Sequence, residues 1–349
     1  MLYLILLLLA AVAYSQKVYV VERERSSVAV IEEDRVTGEI RNLGNLNHAT
    51  LKFSGDRAYL VSRDGYISLI DTRRDQLLGR RKVGESTIGF TFCDGKVVVA
   101  NYEPYRVVFL STDLELLGEI ETGSRNVGVK GYGSSVLFSL MDRDEVWLVN
   151  CENLSVERVF EGVGEMPFDA LLSGDRYIVG FFGESAVGIL DLSRIEFRKV
   201  KFHQEGREVV FKIPHFGTWG IYGNVAFIPA VGERKIHVVD LERFAYMGSI
   251  DLPGLPVFVA VSPDGRYVAV NFSGDREDFL TLIDRATGRI LRTAKLGRRI
   301  LHFRFTPDSR FIYLSSYYEN RVKKVSLPDL KVIGEMRVPT PSGVFLKEG

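Results

Sequence analysis

Five histidines punctuate the 349-residue chain. Three of them, His48, His215 and His302, stand just before or at the start of short apolar runs. Neutral imidazole ligates iron, zinc or copper, and it is the usual general acid or base near neutral pH. Other polar groups recur in comparable settings: Arg63 with Asp64, Tyr102, Arg125 and Asp169, with Lys212 and Trp219 flanking His215. Arginine pairs bidentately with carboxylates, and aromatic rings supply a flat apolar wall. Such a set suits a large planar ligand that carries carboxylates. Each member also reads as a structural residue: a hydrogen-bonded strand histidine, a solvated rim arginine, an aromatic packed between sheets. His203 and His237 are assigned to that reading. The order of residues contains no Ser-His-Asp or Cys-His constellation, no HExxH, no phosphate loop and no dinucleotide fingerprint.

What must position these groups is a repeat, which recurs about every 40 residues. Its centre is a strand, a Gly/Asp/Pro turn and a second strand, as in Val259-Ala260-Val261-Ser262-Pro263-Asp264-Gly265-Arg266-Tyr267-Val268 and Phe303-Arg304-Phe305-Thr306-Pro307-Asp308-Ser309-Arg310-Phe311-Ile312. A third strand follows, often ending in Asp: Ile67 to Asp71, Val187 to Asp191, Ile236 to Asp240, Leu280 to Asp284. A fourth passes through Gly, as at Gly118, Gly248 and Gly334. The apolar period is two and the runs are rich in Val, Ile, Tyr and Phe, so these are strands. Four strands per unit at this spacing predict an all-β propeller of about eight blades, with seven as the fallback count. The first blade is short of an inner strand. The tail from Ser342 to Lys347 has no partner of its own and is expected to supply that strand and close the ring.

In a four-stranded up-and-down blade, the loop entering the innermost strand and the loop joining the second and third strands share one face. His48, His215 and His302 enter inner strands, and so do Arg125, Arg298 and Arg299. Arg63, Asp64 and Tyr102 fall in second-to-third-strand loops. His302, Asp169 and Phe258 take the same repeat position and should ring the axis at one height. One mouth is therefore expected to be lined by His, Tyr, Phe, Trp and Arg.

Bulk composition narrows the function classes. Lys+Arg and Asp+Glu both number 45, so there is no global positive field to attract nucleic acid. Residues 1–15 are almost wholly apolar and end in small residues, which reads as an export signal, with an uncleaved membrane anchor as the alternative. Residues 16–349 then form one propeller domain. The two cysteines, Cys93 and Cys151, give no CxxCH haem attachment and no metal-binding Cys pairs. In an exported protein they could pair as one disulfide between turns of neighbouring blades.

Particular segments carry a family likeness. Asn47-His48-Ala49-Thr50 leading to Arg63-Asp64-Gly65 resembles the haem d1-binding propeller of cytochrome cd1 nitrite reductase. Lys212-Ile213-Pro214-His215-Phe216-Gly217-Thr218-Trp219 and Leu301-His302-Phe303-Arg304-Phe305-Thr306-Pro307 look like the NirF-type proteins of haem d1 biogenesis. So do Phe138-Ser139-Leu140 with Asp142 to Trp147, and Pro167-Phe168-Asp169-Ala170-Leu171. The resemblance implies a periplasmic protein that holds haem d1 or a late precursor without a covalent link. It implies His48 as axial ligand to the haem iron. Arg63, Asp64, Tyr102, Arg125, Lys212 and Trp219 would surround the macrocycle, and His215, His302 and Asp169 would serve as acid/base groups. No segment matches the cytochrome c domain of the reductase, which points to maturation rather than nitrite reduction. The partners implied are nitrite reductase and other haem d1 maturation proteins. Three readings stay open: an enzyme tailoring a side chain of the tetrapyrrole, a carrier that delivers it, and a generic exported interaction propeller.

Overall fold

The computed structural model describes residues 16–202, 220–230 and 232–347. Its strands form eight antiparallel four-stranded sheets, so the count of eight blades holds and seven does not. Blade 1 spans 17–40 and borrows its innermost strand from the tail. Blades 2 to 8 span 50–82, 86–121, 126–160, 167–201, 220–251, 255–295 and 300–337. The expected ring closure is present. Pro341–Lys347 pairs antiparallel with Lys17–Glu22, with Tyr19 opposite Phe345 and Val20 opposite Val344. Closure abolishes the unpaired sheet edge that the two chain ends would otherwise leave. The proposed leader, residues 1–15, lies outside the described residues. So do His203, Lys212, His215 and Trp219.

The recurrent sequence marks have local causes. Each Asp that ends a third strand turns the chain into the outer strand. Asp71 Oδ1 accepts the backbone N–H groups of Arg73 and Arg74, Asp191 those of Ser193 and Arg194, and Asp240 those of Glu242 and Arg243. Those are Asx turns, in which a short acceptor side chain takes N–H groups the ladder leaves unpaired. Second-strand tyrosines stitch neighbouring blades: Tyr19 Oη donates to Asp75 at 2.6 Å, and Tyr59 Oη to the Thr112 carbonyl at 2.8 Å.

The core is distributed as layers between blades rather than as one centre. Tyr19, Val21, Val28 and Val30 of blade 1 pack on Leu51, Ala58, Leu60 and Ile70 of blade 2, and similar clusters follow around the ring. Each such buried aliphatic contributes about 1.5–3 kcal/mol. Blades 3 and 4 carry a covalent staple as well. Cys93, the last residue of Ser86–Cys93, is bonded to Cys151, just beyond Glu145–Asn150, with Cα atoms 6.2 Å apart.

Candidate functional site

The inner strands of blades 5, 7 and 8 carry the same irregularity, and it presents the site. Their pairing slips between Pro167 and Ala170, between Pro256 and Val259, and between Ile300 and Phe303. Asp169, Phe258 and His302 are the last bulged residues of these three slips, so the register expected for them is present. A bulge frees a backbone N–H, which then needs another acceptor. Asn271 Oδ1 accepts the N–H of Phe258 at 2.9 Å, and Ser315 Oγ that of His302 at 3.0 Å. Asn271 also donates across the blade gap to the Ile300 carbonyl at 2.7 Å.

His302 is buried, with its ring edge-on to Phe258 at 5.3 Å and tilted against Phe345 at 5.5 Å. Its Nδ1 accepts the backbone N–H of Val344 at 2.8 Å. Burial first, and the charge of Arg304 second, hold the imidazole well below its ordinary pKa. The ring is thus neutral with its proton on Nε2. It presents a hydrogen-bond donor, and in this tautomer Nε2 has no lone pair for a metal. Val344 on the closing strand orients it.

His48 is exposed and sits in a turn with φ +59°, a conformation that histidine tolerates better than most residues. The loop that carries it is pinned from both sides. Leu43 and Leu46 are fully buried. Asp64 Oδ1 accepts the Asn45 N–H at 3.2 Å, and the Asn45 carbonyl accepts that of Arg63 at 2.8 Å. His48 and His302 line one cavity of 280 Å³ with Phe258, Asn271, Arg304 and Phe345. At its rim Arg299 donates to Tyr318 Oη at 2.9 Å, and Tyr317 donates to Glu24 at 2.8 Å.

Arg63, Tyr102 and Arg125 form a second group. The Tyr102 ring lies 5.2 Å from the Arg63 guanidinium and 6.0 Å from that of Arg125. Burial pushes the Tyr102 hydroxyl up to about 12, against the opposing pull of the two arginines. Asp142 grips Arg125, accepting from Nε at 3.0 Å, and that bond holds the Asp142 carboxyl below its usual range. Arg63 is different: its Nη1 is buried with no hydrogen-bond partner among the described residues. Leaving such a donor unsatisfied costs about 1–3 kcal/mol, and a ligand carboxylate is its natural complement. Beside the group, Tyr102 packs on an apolar cluster of Ile88, Val127, Met141 and Phe168.

Asp169 stands with Lys52 and Lys130 in a second chamber that shares Thr50, Arg304 and Phe345 with the histidine cavity. Burial raises its carboxyl to about 6, opposed by Lys130. The structure therefore joins His48 to His302 and Arg63 to Tyr102 and Arg125, and it places Asp169 among cations. Asp64 is seen holding the 44–48 loop. The sequence reading missed Lys52, Lys130, Arg304 and Phe345. The signal available was a charge in three inner strands where apolar residues otherwise alternate.

An exposed imidazole over an aromatic-walled cavity, an oriented N–H donor and an orphan guanidinium N–H form a donor set that fits a carboxylate-bearing macrocycle. Comparison with known proteins agrees in family. The Cytochrome D1 heme domain family matches residues 15–348. Protein NirF of Stutzerimonas stutzeri is 34% identical over 93% of this chain and 90% of its own length. Protein NirF of Pseudomonas aeruginosa is 34% identical over 93% of this chain and 89% of its own. Among solved structures, the dihydro-heme d1 dehydrogenase NirN in complex with DHE superposes with a TM-score of 0.83 at 22% identity, over 94% of this chain and 74% of that one. Apo AztD from Citrobacter koseri follows at 0.74 and 16%, over 95% and 98%; both likenesses speak for the fold. The chain belongs to the Cytochrome D1 heme domain family and, within it, to the NirF proteins.

Proposed function

We propose that the protein binds haem d1 or a late precursor non-covalently in the axial mouth, outside the cytoplasm, and takes part in a late side-chain tailoring step of haem d1 biosynthesis. The observation that carries this reading is the single cavity in which His48 and His302 meet between Phe258 and Phe345. When bound, the tetrapyrrole would supply a redox-active iron and a conjugated ring. The chain's own residues do the rest. His48, which lines the cavity, would hold the iron through its imidazole. Phe258 and Phe345 exclude water from the ring face. Arg63 gives its orphan N–H to a carboxylate, with Arg125 and Tyr102 beside it. His302 holds a proton at Nε2 and donates it toward the ligand. Asp169, held near half-protonation around pH 6, can take or give a proton in the adjoining chamber.

The closely related NirF proteins and the fold shared with a dihydro-heme d1 dehydrogenase support this reading. Nitrite reductase and other maturation proteins would receive or supply the ligand. The test is single-protein turnover of a haem d1 precursor by wild type and by His302→Gln and His302→Phe. Product formation that falls in His302→Phe more than in His302→Gln supports an enzyme with a donor at this site. Binding without product sinks the tailoring role and leaves a carrier.

A further inference from the structure

Beside the histidine cavity, and sharing Thr50, Arg304 and Phe345 with it, is a second chamber of 210 Å³. Three cations line it from three directions: Lys52 of blade 2, Lys130 of blade 4 and Arg304 of blade 8. Asp169 of blade 5 is the one acidic residue of that lining among the described residues. Three positive groups against one carboxylate leave a net charge of 3 − 1 = +2 when all are ionised. Their described partners are meagre. Lys52 donates to the Phe90 carbonyl and lies 5.1 Å from the Phe90 ring centre. Arg304 reaches only the neighbouring Phe303 carbonyl, at 3.4 Å. Lys130 makes no hydrogen bond or salt bridge to a described residue, and Asp169 acts on it only through its charge. Uncompensated charge inside a protein is costly unless a counter-charge joins it. All four residues stand on the innermost strands of their blades.

We propose that the second chamber is an oxyanion site, which takes a carboxylate or a similar small oxyanion between Lys52, Lys130 and Arg304. This goes beyond the tetrapyrrole reading and does not depend on it. Burial lowers the pKa of all three cations, Lys52 to about 7 and Arg304 to about 10, and a bound anion would restore their charge. The anion has two sources, a free small acid or a carboxylate arm of a ligand seated in the mouth, since the two cavities share Thr50, Arg304 and Phe345.

The purified mature protein would be titrated calorimetrically with sodium acetate and with sodium sulfate at constant ionic strength, chloride serving as the reference anion. Saturable binding that weakens about tenfold or more in Lys130→Met and in Arg304→Met, as expected for loss of a charge-assisted hydrogen bond, establishes a free-anion site. Removing an uncompensated buried charge should leave the thermal midpoint of these variants at or above wild type, and Lys52→Gln serves where one of them fails to fold. A second arm titrates haem d1 and its methyl ester. A tenfold weaker affinity of the acid, but not of the ester, in Lys130→Met assigns the chamber to a ligand carboxylate. No saturable anion binding together with unchanged haem d1 affinity in the variants overturns the proposal. The acetate arm uses no tetrapyrrole, so its outcome stands apart from that of the haem reading.

Discussion

Replacing Asp169 by Asn isolates the most unusual carboxyl of the chamber. Asp169 is nearly fully buried, and burial lifts it from the ordinary 3.8 to about 6 although Lys130 and Lys52 pull the other way. A raised carboxyl binds its proton more tightly in the folded protein. Its stabilising contribution is therefore complete below pH 4 and is lost as pH rises through 6. At about 1.4 kcal/mol for each tenfold in proton affinity, the loss comes to about 3 kcal/mol. Asparagine does not titrate. The stability of wild type relative to Asp169→Asn should thus fall by about 2 kcal/mol of that total between pH 4 and pH 6.5 and then level off. Urea unfolding followed by circular dichroism at half-unit pH steps gives both curves, and other carboxylates cancel in the difference. Lys52, held down to about 7, titrates above this window. Parallel curves from pH 4 to 6.5 would refute both the placement of Asp169 and the reasoning from burial.

Other expectations follow from the same geometry. Changing Cys93 and Cys151 together to Ser opens a loop with a sequence separation of 58 and should destabilise the protein by about 2–4 kcal/mol; a reducing agent should do the same to wild type only. Asn271→Ala orphans the Phe258 N–H and the Ile300 carbonyl and should cost about 1–3 kcal/mol in chemical unfolding. The 15N resonances of the His302 ring should report the Nε2–H tautomer, with no titration between pH 8 and pH 6, because the ring is held well below its ordinary pKa.

The blades were legible because their marks are local. A terminal Asp makes its own Asx turn, and alternation of apolar residues needs no distant partner. The ring closure was legible for a related reason: Ser342 to Lys347 is a strand with no hairpin mate, and a strand without a mate must find one elsewhere. The second chamber, lined by Lys52, Lys130, Asp169 and Arg304, was not legible. Whether Lys52, Lys130 or Arg304 faces the axis depends on which side of its strand looks inward, and a bulge shifts that side by one residue. Asp64 shows the same limit. Beside Arg63 in sequence it reads as a ligand contact, yet its carboxylate reaches back to the Asn45 N–H. His302 was found from its motif, but its tautomer is set by Val344, a residue that no local pattern connects to it.

An absorbance titration of the purified protein with haem d1, and separately with b-type haem, bears most directly on the proposed iron site at His48. A saturable spectral shift with haem d1 alone, absent in His48→Ala, is the expected result. No shift with either haem, or the same shift in His48→Ala, would contradict it.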